Sequence, residues 1–344
     1  VVKSLIAGKK PCLMPLPLWG LVLLCLWVQP ASAADMLPVG WSVQEQALAG
    51  GKRKFGVYRP ENLPERPAVC IWLHDQGEDL NSTLDQASDG RSSWRELADQ
   101  SGFLWVVPNG SSIRGGIGRS AQLSWNDCRP PMRWRNPSTK ADDTRFLRSL
   151  INTISTHWPV DASRIYVAGI GAGGMMAMRL ALESPDSVAA VACFFAGMSP
   201  YGECQAKGFP VPIWMLNATG DPVQPWHGGD LEPKGGMVRS VAQTGDYWVS
   251  YNRADRRNAR MRQWCLPLLD DQGIVRHWYY PALPGGADVE RWELHGWGRE
   301  VPSPASAEKS QQSADQVFPD GLDAAWSFLS RYALGHATAL PAPG

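Results

Sequence analysis

Arg164-Ile165-Tyr166-Val167-Ala168-Gly169-Ile170-Gly171-Ala172-Gly173-Gly174-Met175-Met176 joins a strand-like run to a helical one through glycines. Arg164–Ala168 is short, β-branched and aromatic, and reads as a buried strand. From Ala172 to about Leu182 the pattern is helical. Between them lie glycines, which allow a tight turn and a close approach of helix to strand. Read literally, Gly169–Gly174 is G-x-G-x-x-G, a dinucleotide fingerprint that would set a pyrophosphate on the helix N-terminus. That fingerprint needs an acidic residue about 20 positions on. The next strand ends instead in Phe194-Phe195-Ala196-Gly197, without a carboxylate. A second reading is G-x-S-x-G, the strand–turn–helix that presents a nucleophile, with Gly169, Gly171 and Gly173 at its first, central and last positions and its serine replaced. Plain helix–sheet packing through small residues explains the same glycines.

Outward from this turn, short apolar runs alternate with helical patterns. Lys54–Tyr58, Ala68–His74, Phe103–Val107, Val188–Phe195, Pro212–Asn217 and His277–Tyr280 read as strands. Ala141–Ile154, Val238–Tyr251 and Gly321–Tyr332 read as helices. This rhythm predicts an α/β protein with a mostly parallel central sheet flanked by helices. Asn109–Lys140 and Val301–Gln316 read as loops, and no linker or internal repeat divides the chain.

The 33 basic and 33 acidic residues cancel, so nothing in the overall charge points to nucleic acid or an anionic membrane. Lys3, Lys9 and Lys10 precede the apolar stretch Leu16–Val28, and Ala31-Ser32-Ala33 follows as an A-x-A site. Residues 1–33 are therefore expected to be a signal peptide cleaved near Ala33, with a signal anchor as the alternative. A single domain is expected over 34–335 and a flexible tail over 336–344. The mature protein would be secreted, with no membrane in its mature form. Export permits disulfides. Five cysteines remain after Ala33, so at least one thiol stays free. Cys70 and Cys193 lie in strand-like runs, and Cys128 and Cys204 lie in loops. The loop pair is the expected bridge, with Cys265 as rival partner for either. There is no C-x-x-C or H-E-x-x-H, so no metal or other cofactor is indicated.

An acid and then a histidine should follow a nucleophile turn in chain order. Asp221, after Pro212–Asn217 in Gly220-Asp221-Pro222, and His295, in Glu293-Leu294-His295-Gly296-Trp297, hold that order. Singly, each also reads as a turn aspartate or a structural histidine. From about Lys54 to Arg331 the chain resembles the secreted polyhydroxybutyrate depolymerase and feruloyl/acetylxylan esterase group of α/β-hydrolases. The likeness rests on Leu73-His74 after a strand, Trp125 with Cys128, Asp142-Asp143 opening a helix, and Arg164–Gly169 with Ala172–Met176. Asp221 and His295-Gly296-Trp297 complete it. The resemblance implies the α/β-hydrolase fold, ester hydrolysis, Asp221 and His295 as hydrogen-bonded triad acid and base, and an oxyanion hole at Ala172 and Asp75.

The departures fall on the chemistry. Gly171 has no side chain and forms no acyl-enzyme; losing a triad nucleophile costs on the order of 10⁶ in turnover. Asp75 replaces the glycine of the group's L-H-G. A carboxylate about 4 Å from an oxyanion opposes it by roughly 4 kcal/mol at an effective dielectric near 20. The sequence thus predicts a protein of this lineage with ester hydrolysis lost or strongly reduced. One alternative is a binding protein that uses the old cleft, with Trp125, Trp226 and Trp297 as an aromatic wall for a sugar, phenolic or polyester ligand. Core packing is the competing role for each tryptophan. Another alternative is slow hydrolysis by water activated through His295 and Asp221. Ester hydrolysis is expected to gain a little with Gly171→Ser alone and much more, beyond additivity, with Asp75→Gly added.

Overall fold

The computed structural model describes residues 37–48, 51–86, 93–113, 122–129, 141–201, 204–231, 236–267, 272–303 and 320–335. All of them fall in one contact unit, Ala31–Gly344. The expected signal segment and tail lie outside the described residues, as does most of Val301–Gln316.

The strands are β1 (Gly40–Leu48), β2 (Gly51–Arg59), β3 (Val69–Leu73), β4 (Leu104–Pro108), β5 (Ser111–Ile113), β6 (Gln122–Ser124), β7 (Ile165–Ile170), β8 (Ala190–Phe194), β9 (Ile213–Ala218), β10 (Gly229–Asp230), β11 (Met237–Val238), β12 (Arg260–Pro267), β13 (Gln272–Tyr280) and β14 (Val289–His295). The helices are α1 (Leu80–Gln86), α2 (Trp94–Ser101), α3 (Asp143–His157), α4 (Ala172–Glu183), α5 (Val241–Tyr251) and α6 (Gly321–Leu329). Ten strands form one sheet in the order β1-β2-β4-β3-β7-β8-β9-β14-β13-β12. The six from β4 to β14 run parallel, and antiparallel pairs close both sides.

The parallel strands are apolar along their whole length because both faces are covered. Every residue of β3, β8 and β9 is buried. One face packs Val167, Val191 and Ile213 against Phe146 and Leu150 of α3, Met176 and Leu180 of α4 and Trp248 of α5. The other packs Tyr166, Phe194 and Trp214 against Leu97 of α2 and Leu322 and Phe328 of α6. The β7–α4–β8 unit sits at the centre of this mixed sheet, not in the first βαβ unit of a dinucleotide-binding sheet. The fingerprint reading of Gly169–Gly174 is therefore overturned.

The turn itself explains its glycines. A Cβ on Gly169 would lie 2.5 Å from the Gly173 carbonyl carbon, and one on Gly173 would run into the carbonyl oxygens of Leu73 and His74. The helix can lie this close to β3 and β7 only without those side chains.

Candidate active site

In α/β sheets, functional groups collect at the carboxyl ends of the strands. Here β7 delivers Gly171, β3 delivers His74 and Asp75, β9 leads to Asp221, and β14 ends on His295. Gly171 has φ 53° and ψ −117°, a strained turn that L-residues rarely adopt. The strand–turn–helix geometry expected of a nucleophile elbow is formed here, with glycine at its central position.

The space of the missing side chain is filled by Asp75. A Cβ on Gly171 would collide with the Cγ and both carboxylate oxygens of Asp75. Asp75 Oδ1 accepts the backbone N–H of Ala172 at 2.9 Å and that of Gln76 at 2.7 Å. Ala172 N–H is the donor expected to hold an oxyanion, and a resident carboxylate holds it instead. The N-cap of α4 is Gly171, which provides no side-chain acceptor. Asp75 caps the helix from a neighbouring strand, with its negative charge at the positive end of the helix dipole.

Asp75 Oδ2 accepts from Nη2 of Arg299. The other arm of that guanidinium, Nη1, donates to Asp221 Oδ2 at 2.9 Å. Asp221 Oδ1 accepts the N–H groups of Val223 at 2.8 Å and Gln224 at 3.1 Å. The Asp221 side chain is 1% exposed and that of Arg299 15%, so this three-charge chain is partly shielded from water. The guanidinium also lies over the Phe195 ring at 5.4 Å.

The expected Asp221–His295 hydrogen bond is not formed, and this corrects the triad expectation. His295 Nε2 has Glu293 Oε2 at 3.6 Å as its acidic neighbour and no hydrogen-bond partner. The acid and histidine do lie at the ends of adjacent parallel strands, with Leu294 opposite Ala218. Gly220 N donates to Trp297 O at 2.8 Å, and Gly296 N donates to Thr219 Oγ1 at 2.9 Å. The two segments meet, but Arg299 takes the place on Asp221 that an imidazole would need.

Trp125 is also corrected. It is 1% exposed, donates from Nε1 to His74 O at 2.9 Å and packs on the His74 ring, so it offers no face to a ligand. Trp226 is half-buried with its ring edge-on to His295 at 5.2 Å between centroids. Trp297 is half-buried against the core on the α6 side. His74 is buried; its Nε2 accepts Gly110 N–H at 2.9 Å, so the proton is on Nδ1, which donates to Asp75 O at 2.7 Å. Desolvation holds its pKa below the usual imidazole value, although the neighbouring carboxylates pull the other way.

Asp142 caps α3 by accepting Arg145 N–H. Asp143 accepts from Arg53 at 2.6 Å and from Asn126 N at 2.7 Å, tying the loop of Trp125 to the helix. Cys128 and Cys204 form the expected disulfide, and Cys70, Cys193 and Cys265 are free. Among the described residues, Cys128, Glu183 and Cys204 cluster at metal-ligand distances, but the bridge leaves no thiolate there.

The ten-stranded, mostly parallel sheet flanked by helices defines an α/β-hydrolase fold, and the turn between β7 and α4 carries Gly171. Residues 46–265 match the family model described as "Putative esterase", and the chain belongs to that esterase family. It is 29% identical over 75% of its length to a bifunctional acetylxylan esterase/xylanase of Neocallimastix patriciarum. It is 25% identical over 68% of its length to a poly(3-hydroxybutyrate) depolymerase of Ralstonia pickettii. The matches span 35% and 48% of those two relatives. Among solved structures, an acetyl xylan esterase from Aspergillus awamori superposes with a TM-score of 0.50 at 14% identity, covering 78% of this chain and 97% of that one.

Proposed function

We propose that this chain is an exported, polyhydroxybutyrate depolymerase-like member of the esterase family in which ester hydrolysis is lost or strongly reduced. The observation that carries the reading is the Asp75 carboxylate in the space of the Gly171 side chain, bonded to the Ala172 N–H. Acyl transfer needs a nucleophile, a base to take its proton, and donors aimed at the oxyanion. Gly171 removes the first. Arg299 separates the base from its acid. Asp75 fills the third with a charge of the wrong sign.

Water activation by a His295–Asp221 pair has no geometric support, since Asp221 is bonded to Arg299 and two backbone amides. The alternative of a binding protein draws on Trp226, whose half-buried ring flanks His295 beside the filled elbow. It would take a sugar, phenolic or polyester chain along that aromatic edge. Export rests on the A-x-A segment and on the Cys128–Cys204 bridge, a bond favoured in oxidising compartments.

The test is hydrolysis of a nitrophenyl acetate at high protein concentration, with His295→Ala as control. The expected result is equal rates. Turnover that is abolished by His295→Ala would mean that the site still works.

A further inference from the structure

A second site lies beside the elbow helix. An open pocket, with room of about 80 Å³, is walled by Met175, Met178 and Leu182 of α4 and by Met198, with Arg239 and Tyr247 among its other lining residues. Met175, Met178 and Leu182 recur at helical spacing and so form one apolar face. At 1.5 Å rise per residue, Met178 stands about 10 Å along the axis from Gly171. Met175, at the near end of this wall, is one turn from Gly171, but Gly171, Asp75, Asp221 and Arg299 are not among the lining residues.

Among the described residues the charges around it do not balance. Arg179 is engaged by Glu183 at 3.0 Å and by Asn126 O at 2.7 Å. Asp127 is paired with Arg129 at 2.5 Å, both buried. Arg239 lies over the Tyr247 ring at 5.2 Å, and among the described residues its guanidinium has no acid and no hydrogen-bond acceptor. Its backbone N–H is fixed to Met198 O at 2.8 Å, which holds the residue at the wall. Gln224, 2% exposed, has both amide atoms unbonded and abuts Gly197, another lining residue. The cavity thus joins an unneutralised planar cation to a thioether-rich wall, which adapts readily to a slender apolar body.

We propose that this cavity binds a small monocarboxylate with a single-ring or short aliphatic body. Its carboxylate would sit on Arg239 and its body against Met175, Met178, Leu182 and Met198. A planar fork of donors matches a carboxylate in two parallel hydrogen bonds. One uncompensated charge suits a monoanion better than a phosphate.

The experiment is titration of the full chain with benzoate, followed by saturation-transfer NMR and calorimetry, with benzamide as the uncharged counterpart. Benzoate is expected to bind and benzamide not to bind. Arg239→Met should weaken benzoate at least about tenfold, the loss of one charge-assisted pair. Arg239→Lys should retain part of the affinity. Met198→Trp, at the half-buried rim, should block binding while Arg239 remains. Equal binding of benzamide, unchanged affinity in Arg239→Met, or no wild-type binding would each overturn the proposal. Loss of binding in Arg299→Met with retention in Arg239→Met would also overturn it, because the carboxylate would then sit at the elbow.

Discussion

At Gly171 two costs oppose any side chain. The backbone stands at φ 53°, where an L-residue is strained by about 1–3 kcal/mol, and the Asp75 carboxylate occupies the Cβ position. Gly171→Ala should therefore destabilise the fold measurably, and Asp75→Gly should relieve most of the second cost. In a denaturant double-mutant cycle, the two changes should couple favourably by about 0.5–3 kcal/mol; simple additivity would show that Asp75 is not in contact. His74 supplies a pH dependence. Its folded pKa lies below the unfolded value of 6.5, so its contribution is fully present above pH 6.5 and is lost as pH falls through the folded pKa. His74→Gln should flatten the fall of the melting temperature as pH drops below 6.5, and an unchanged slope would remove His74 from the explanation. Arg299 was not legible as a site residue. Asp75 could be read as a misplaced carboxylate, but the sequence does not say which arginine answers it across 224 positions.

At the scale of elements, the strand–turn–helix from Arg164 to Leu182 was readable because an apolar strand, a glycine turn and a run of helix formers are local signals. β14 was not. Val289-Glu290-Arg291-Trp292-Glu293-Leu294-His295 carries three charged residues, and all three are buried through pairs the sequence does not show: Glu290 with His277 and Arg331, and Arg291 with Glu293. Apolar periodicity cannot find a strand whose charged groups are buried in pairs, one within the strand and others with His277 and Arg331 far along the chain. The edge strands β1 and β12 were missed for a related reason: exposed residues along them dilute any apolar run. The close packing of α4 gives a direct test. Gly173→Ala pushes a methyl group into the carbonyls of Leu73 and His74 and should cost about 1–3 kcal/mol or more, read as a lowered urea midpoint. A neutral Gly173→Ala would show that α4 sits farther from β3 than described.

Across the whole molecule, the expected α/β-hydrolase architecture and the Cys128–Cys204 bridge were found, while the expected Asp221–His295 hydrogen bond was not. The chain from Ala34 onward should show three free thiols in denaturant without reductant. Cys265 is exposed and should react in the folded state; Cys70 and Cys193, buried with pKa values pushed far up, should react only on unfolding. A count of five would remove the bridge. On the proposed reading, the turn at Gly171 is a nucleophile elbow whose working parts have been replaced by Asp75 and Arg299. The pair of changes expected from sequence to restore activity, Gly171→Ser with Asp75→Gly, leaves Arg299 on Asp221 and should stay weak. Adding Arg299→Ala frees Asp221 to orient His295. The most direct measurement is turnover of a short-chain aryl ester by the triple variant, against the wild type, each simpler variant and the triple variant carrying His295→Ala. The account predicts at least about a hundredfold gain for the triple variant, the scale of one restored oxyanion donor, more than the product of the separate effects and lost with His295→Ala. A folded triple variant with no turnover above its His295→Ala control would contradict it.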